Sequence, residues 1–331
     1  MSLKTLTIAV GLSLGASLPA LAQQDAPHSP HVQSVDAHRF AALFDAHDGA
    51  LDAELLQAEY LDGAGRGVEV FTPSRIQNAD NLARAVAEDP EAYRRGIEVC
   101  LPIADSMNAE LRETYAAMQP LFPGRDLPEI HVVFGAGNSG GTAASDALVL
   151  GLEVICRVGQ SDEEIRSIFR FFFAHEAVHA LQTQNMDAFA RDPLLYMSLL
   201  EGQADYVSLL VTGQVPTQSR HDWAVENEDG LWPEFSRDRR ILKAAAEAGA
   251  SYGNLPPEAA TALTRWHANA GRAPDGWPYE LGYWMGRQIV ADYVTRADDP
   301  DQALIDLLNI TDPVRVLSQT RYYDQAGADA R

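Results

Sequence analysis

Apolar positions recur three and four apart through most of the chain, the spacing that lines one face of a helix. Phe40, Leu43 and Phe44, then Leu51, Leu55 and Leu56, predict helix over about 36–60. Asp62-Gly63-Ala-Gly65-Arg-Gly67 predicts a turn. Helices follow over Arg75–Ala87 and Pro90–Met118, the second opened by Asp89-Pro90 and kinked or broken at Pro102. A breaker-rich loop, Pro120–Pro128, closes this block.

The period then changes. Ile130–Phe134 and Leu148–Ile155 are short apolar, β-branched runs and predict two strands, with the glycine-rich Gly135–Thr142 as a loop between them. The helical period returns at Ser161, which forms a capping box with Glu164. From Ile165 to Leu181 the run is apolar nearly all round, the mark of a buried helix. Asp192-Pro193 opens another helix that stops at Gly213. Pro216–Pro233 reads as a polar loop. Arg237–Ala248 and Pro257–Ala270 read as helices ended by Gly249 and Gly271. Tyr279–Thr295 reads as a long helix in which Gly282 and Gly286 permit close packing. Two last helices lie near 301–309 and 313–323, before a polar tail from Asp324.

The fold class expected is mainly α with a small β-sheet, α+β. The divisions expected are a helical N-terminal region over 37–125 and a second unit over 126–331. Ahead of them, residues 1–22 have the charged start, apolar centre and Ala20-Leu21-Ala22 end of a cleavable signal peptide, and 23–36 a disordered lead-in. The expected location is therefore periplasmic or secreted. His28, His31 and His38 read as a solvated tract rather than a metal site.

Composition narrows the partners. A 46% hydrophobic and 22% charged share is that of a globular chain, and a net charge of −22 argues against nucleic acid and anionic membrane surfaces. No run after the leader predicts a membrane span. Two cysteines, Cys100 and Cys156, leave open one bridge or two buried thiols. The sequence leaves oligomeric state open.

The chemistry concentrates in two segments. His175-Glu176-Ala-Val-His179 puts two imidazoles on one helix face, where both can reach one ion. Zinc suits them, because it takes nitrogen ligands and tolerates an open fourth position. Glu176 points to the side of that ion, placed to act as general base on a water. Glu201-Gly-Gln-Ala-Asp205 follows 21 residues after His179. Glu201 supplies a third ligand, and Asp205, one turn on, can accept the other N–H of a ligand histidine. Gly202 lets the two helices approach.

Together these motifs resemble the gluzincin zinc metallopeptidases, the thermolysin-like clan, and are similar to a group of predicted bacterial zinc-dependent peptidases. The likeness spans roughly 130–290, with a ligand spacing close to thermolysin's but not the same. It implies a zincin-like core, Zn2+ as cofactor, a peptide or protein substrate, and the same roles for His175, His179, Glu201, Glu176 and Asp205. It also implies that an edge strand before the metal helix pairs with substrate. That points to the Gly137–Thr142 loop, with Asn138, Ser139 and Gly140, and to the 148–155 strand. Finally it implies an oxyanion donor from the C-terminal helices, for which Tyr283 comes first, then Tyr279, His267 and His221. Three other classes fit the same residues: a catalytically silent zinc module, a helical binding protein without metal, and a metal hydrolase acting on a non-peptide substrate.

Overall fold

The structure, a computed structural model, describes residues 30–269 and 271–326. The expected signal peptide and His28 lie outside them. The described chain is mainly helical around one four-stranded mixed sheet.

The sheet runs β1 (Val32–Gln33), β2 (Glu129–Val133), β4 (Ala147–Gly151) and β3 (Gly141–Ala143) in spatial order. β1 and β4 flank β2 in parallel, with Val32 opposite Ile130 and Ile130 opposite Leu148. β3 is the antiparallel edge, Thr142 opposite Val149. Residues of the expected lead-in therefore form a strand: Val32 is buried and its N–H donates to Asn108 Oδ1 at 2.8 Å. The strand expected over Leu148–Ile155 ends at Gly151 and turns into a helix, Leu152–Val158. Glu153 accounts for the turn. Its buried carboxylate accepts the N–H of Gly135 and of Gly137, both at 3.1 Å, which a continuing strand would deny it. The expected 135–142 loop correspondingly gives its last two residues to β3.

The N-terminal block is welded to this sheet. Phe40 stacks on Phe134 at 4.6 Å, Tyr60 exchanges hydrogen bonds with the Phe134 backbone, and the Tyr93 hydroxyl donates to the Gly135 carbonyl at 2.7 Å. Burial, helped by the nearby Glu153 carboxylate, raises the phenols of Tyr60 and Tyr93 far above their ordinary value, although the bond to the Phe134 backbone pulls Tyr60 the other way. One buried core runs through both of the expected units. The helix expected over 36–60 is interrupted after Val35–Ala46, where Asp48 and Gly49 take positive φ, and resumes at Ala53. The turn expected over 62–67 ends early, since Gly65 starts the helix Arg66–Phe71. Gln77, at φ 67, delays the next helix to Ala79. Pro102 does not break its helix. A wider i→i+5 turn, Gly96–Cys100, immediately precedes it and accommodates the ring, and the chain breaks only at Met107.

Cys100 and Cys156 form a disulfide across a separation of 56 residues, joining the block to the helix after β4. Closing a loop of that length removes unfolded-state entropy worth about 4 kcal/mol in the chain-entropy view. Replacing both cysteines by alanine is expected to cost about 2–4 kcal/mol, read from urea unfolding.

The predicted polar loop 216–233 is instead helical, Gln218–Glu226 followed by Glu228–Glu247, with Pro233 inside the second helix near its start. Met186–Arg191 adds a short helix between the two expected metal-site helices. Pro257–Trp266 stops short of 270 because His267 is extended, and the last long helix starts at Leu281. The expected helices near 301–309 and 313–323 are Pro300–Asp306, which runs into a 3-10 turn, and Pro313–Ser318. The start of the expected tail is docked, since Ala326 is buried and its carbonyl accepts from Arg239 at 2.7 Å. No helix among the described residues is long and apolar enough to cross a membrane.

Candidate metal centre

The two chemistry-bearing segments lie on neighbouring helices. The histidine helix, Asp162–Leu181, carries the expected Ser161–Glu164 capping box. The glutamate helix, Pro193–Thr212, is capped by Asp192 and ended by Gly213 in the left-handed region. They pack together, and the Ser208 hydroxyl donates to the Phe171 carbonyl at 3.3 Å.

Their facing sides bring His175, His179 and Glu201 to one point. His179 Nε2 lies 3.0 Å from Glu201 Oε2 and 3.1 Å from His175 Nε2, and His175 Nε2 lies 3.4 Å from the same carboxylate oxygen. Ligands held 2.0–2.1 Å from a tetrahedral ion are about 3.3 Å apart, so the three separations match the edges of such a site. Three such atoms gathered this closely suit a shared positive charge. Burial opposes a charged imidazole, but Asp205 and Glu201 overcome it and push His175 up to about 10. His179 is raised in the same way, against burial, by Glu201. Burial would raise the Glu201 carboxyl, yet His179 and His175 hold it well below the usual range. The donor set, its spacing and its demand for positive charge all fit a dication such as zinc.

Each of the two histidines is held from behind. His179 Nδ1 donates to Gln182 Oε1 at 2.7 Å, while the Gln182 amide donates to the Leu200 carbonyl and to Gln203. That bond favours the tautomer with the proton on Nδ1, which would leave Nε2 free for an ion. His175 Nδ1 faces Asp205 Oδ1 at 3.1 Å, off the ideal hydrogen-bond line, and neither buried atom has another polar partner among the described residues. Asp205 Oδ2 accepts from Arg220 at 3.0 Å. Gln182 and Arg220 were not foreseen. Gln182, one turn after His179, was open to inspection, whereas Arg220 lies in a stretch that reads as solvated loop.

Glu176 is buried beside the ligands, facing the edge strand: a side-chain carbon at Gly141 would lie 2.7 Å from its Oε1. The edge is β3, not the 148–155 segment, which as β4 is interior. β3 lies in register with β4 from Gly141 to Ala143, and the hydrogen bonds fall at Gly140 to Gly151 and at Ala144 to Ala147, so by antiparallel alternation Gly141 and Ala143 turn their backbone groups outward. Of the expected substrate residues, Asn138 donates to the Arg75 carbonyl, the Ser139 hydroxyl donates to the Gly141 carbonyl at 2.6 Å, and Gly140 packs on Phe172.

The last long helix, Leu281–Arg296, crosses the glutamate helix at van der Waals limit. A side-chain carbon at Gly202 would fall 2.1 Å from Gly286, and one at Gly286 would fall on the Ser198 carbonyl. Gly202 thus admits this helix rather than the histidine helix. The crossing lays the Tyr283 ring parallel to His175, centroids 5.9 Å apart. Burial and the charges of Glu201, Glu280 and Asp205 push its phenol well above 10, so it stays a donor. The other three donor candidates are differently placed. Tyr279 is 43% exposed. His221 Nδ1 accepts from Trp284 and Arg287.

His267 is packed against Gly282 and bonded to the Ser198 hydroxyl at 2.9 Å. Burial lowers its pKa from 6.5 to about 4. With the folded value below the unfolded one, its stabilisation is complete above pH 6.5 and lost as pH falls towards 4, amounting to about 3 kcal/mol. Urea unfolding at pH 7 and pH 4 should register that loss, and His267→Gln should flatten it.

His38 pairs with Asp105 and His31 with Gln33, away from this centre. Comparison with family models, with curated proteins and with solved structures finds no match to this chain.

Proposed function

We propose that the protein is an exported zinc-dependent peptidase of gluzincin type, with a zincin-like core formed by the sheet, the histidine helix and the glutamate helix. The observation that carries this is the convergence of His175 Nε2, His179 Nε2 and Glu201 Oε2 within 3.0–3.4 Å, with an uncoordinated carboxylate, Glu176, beside them. Three protein ligands and a free base are the pattern of catalytic rather than structural zinc. The Cys100–Cys156 bridge supports an oxidising compartment such as the periplasm or outside.

His175, His179 and Glu201 would hold the ion. When bound, zinc supplies Lewis acidity that acidifies water and polarises a carbonyl. The remaining work falls to side chains and backbone. The outward groups of Gly141 and Ala143 pair with an extended peptide and lay its scissile bond beside Glu176. Glu176 accepts a proton from the attacking water and returns it to the leaving amine. The Tyr283 hydroxyl donates to the oxygen on which negative charge develops.

The test is hydrolysis of a quenched fluorescent peptide library by purified protein, lost on chelation and restored by stoichiometric zinc. A zinc-loaded protein that cleaves none of the library, nor simple esters and amides, is the silent zinc module instead.

A further inference from the structure

We propose that Arg220 is a positioning residue that ties the metal ligand His175 to Tyr283, so that ligand and oxyanion donor are set by one side chain. The proposal deepens the peptidase reading and rests on it for zinc at His175 and for the role of Tyr283.

Arg220 is 4% exposed, an unusual place for a guanidinium. Two hydrogen bonds and a ring contact account for it. Nη2 donates to Asp205 Oδ2 at 3.0 Å, and the other oxygen of Asp205 faces His175 Nδ1 at 3.1 Å. Nη1 donates to the Glu280 carbonyl at 3.2 Å, and its cationic carbon sits 5.1 Å from the centre of the Tyr283 ring. Glu280 is the residue that starts the Tyr283 helix. It takes φ 57, in the left-handed region, where a non-glycine residue costs about 1 kcal/mol or more and persists only if held. Asn269 holds the other side, accepting from the Glu280 N–H at 2.7 Å.

A flat fork with several donors reaches two acceptors and a ring face at once, which an ammonium cannot do. Through Asp205, Arg220 fixes the carboxylate that orients His175. Through the Glu280 carbonyl and the ring face, it fixes where the Tyr283 hydroxyl points. The peptide-bond chemistry needs both in register, since a misplacement near 1 Å costs about 100-fold in rate.

The test compares Arg220→Met, which removes the charge, with Arg220→Lys, which keeps it. Zinc affinity is read by competition with a chromophoric chelator, and kcat and KM by peptide hydrolysis per bound zinc. Arg220→Met is expected to weaken zinc by about 10- to 100-fold. Arg220→Lys is expected to recover most of that affinity while kcat stays about tenfold down at little-changed KM. In an Asp205→Asn background, Arg220→Met should weaken zinc no further, because the effect passes through Asp205. Wild-type zinc affinity and wild-type kcat per zinc in the Lys and Met variants, with only a lower melting temperature, would overturn the proposal. If Arg220→Met does not fold, Arg220→Lys decides alone on kcat per zinc: about tenfold down supports the proposal and the wild-type value overturns it. If the wild type binds zinc and cleaves nothing, the peptidase reading fails, and the zinc affinities still decide whether Arg220 sets His175.

Discussion

Glu176→Gln is expected to bind zinc as the wild type does and to hydrolyse peptide about 100- to 10,000-fold more slowly. The carboxylate follows His175 in the helix and so leaves the face that His175, His179 and Glu201 share. It rests against Gly141 on the edge strand, between the ligands and the groups that would hold a peptide. Glutamine keeps the volume, and with it the contact to Gly141, but cannot take a proton from water. The separation of readouts is what makes the variant informative. Elemental analysis should find unchanged zinc and kcat should collapse. Wild-type turnover would remove Glu176 from the role of base, whatever the metal does.

Gly286→Ala is expected to be the most disruptive alanine substitution among the described glycines, at about 3–5 kcal/mol or failure to fold. The added carbon would sit on the Ser198 carbonyl, and the reciprocal one at Gly202 would meet the Gly286 backbone. Both obstacles are helix backbone, so no rotamer can relieve them and the helices must part. Ser198 and Gly202 flank Glu201 on the glutamate helix, so the same separation moves a metal ligand and the Tyr283 ring together. Denaturant unfolding should show the loss, and zinc content should fall with it. Gly230→Ala is the control. It lies in a helix with nothing within 4 Å of the added carbon, and it should be neutral or stabilising by up to about 1 kcal/mol. Equal effects at 286 and 230 would show that the close crossing is not what holds the site.

Much of the site was legible because its signals are local. A capping box, an Asp-Pro start, a C-terminal glycine and four-residue spacings are each written within a few residues, and they place His175, His179, Glu201 and Asp205 on two faces without knowledge of the rest. The need for glycine at 202 and 286 was also readable, although the partner of Gly202 was not, because packing partners are a tertiary fact. What escaped depends on distant groups. Val154 and Ile155 look like strand, and the apolar run 148–155 has no period to decide the matter. The second half is helical, and its Glu153 is bonded to the backbone of Gly135 and Gly137, a contact that no local period announces. β3 is three residues of glycine, threonine and alanine, too short and too weakly apolar to register, yet it is the edge. Residues 216–233 look solvated because Arg220 is charged and Pro233 suggests a stop. The arginine is buried by its bond to Asp205, and the proline is tolerated near the start of a helix. The disulfide was one of two options until the fold brought Cys100 and Cys156 to a Cα separation of 5.8 Å.

The whole account turns on whether these three side chains bind a metal ion. The direct measurement is zinc per chain in purified protein after loading and desalting, wild type beside His179→Ala. We predict about one equivalent in the wild type and a small fraction of that in the variant. A wild type that retains no zinc, or a variant that retains as much as the wild type, would contradict it.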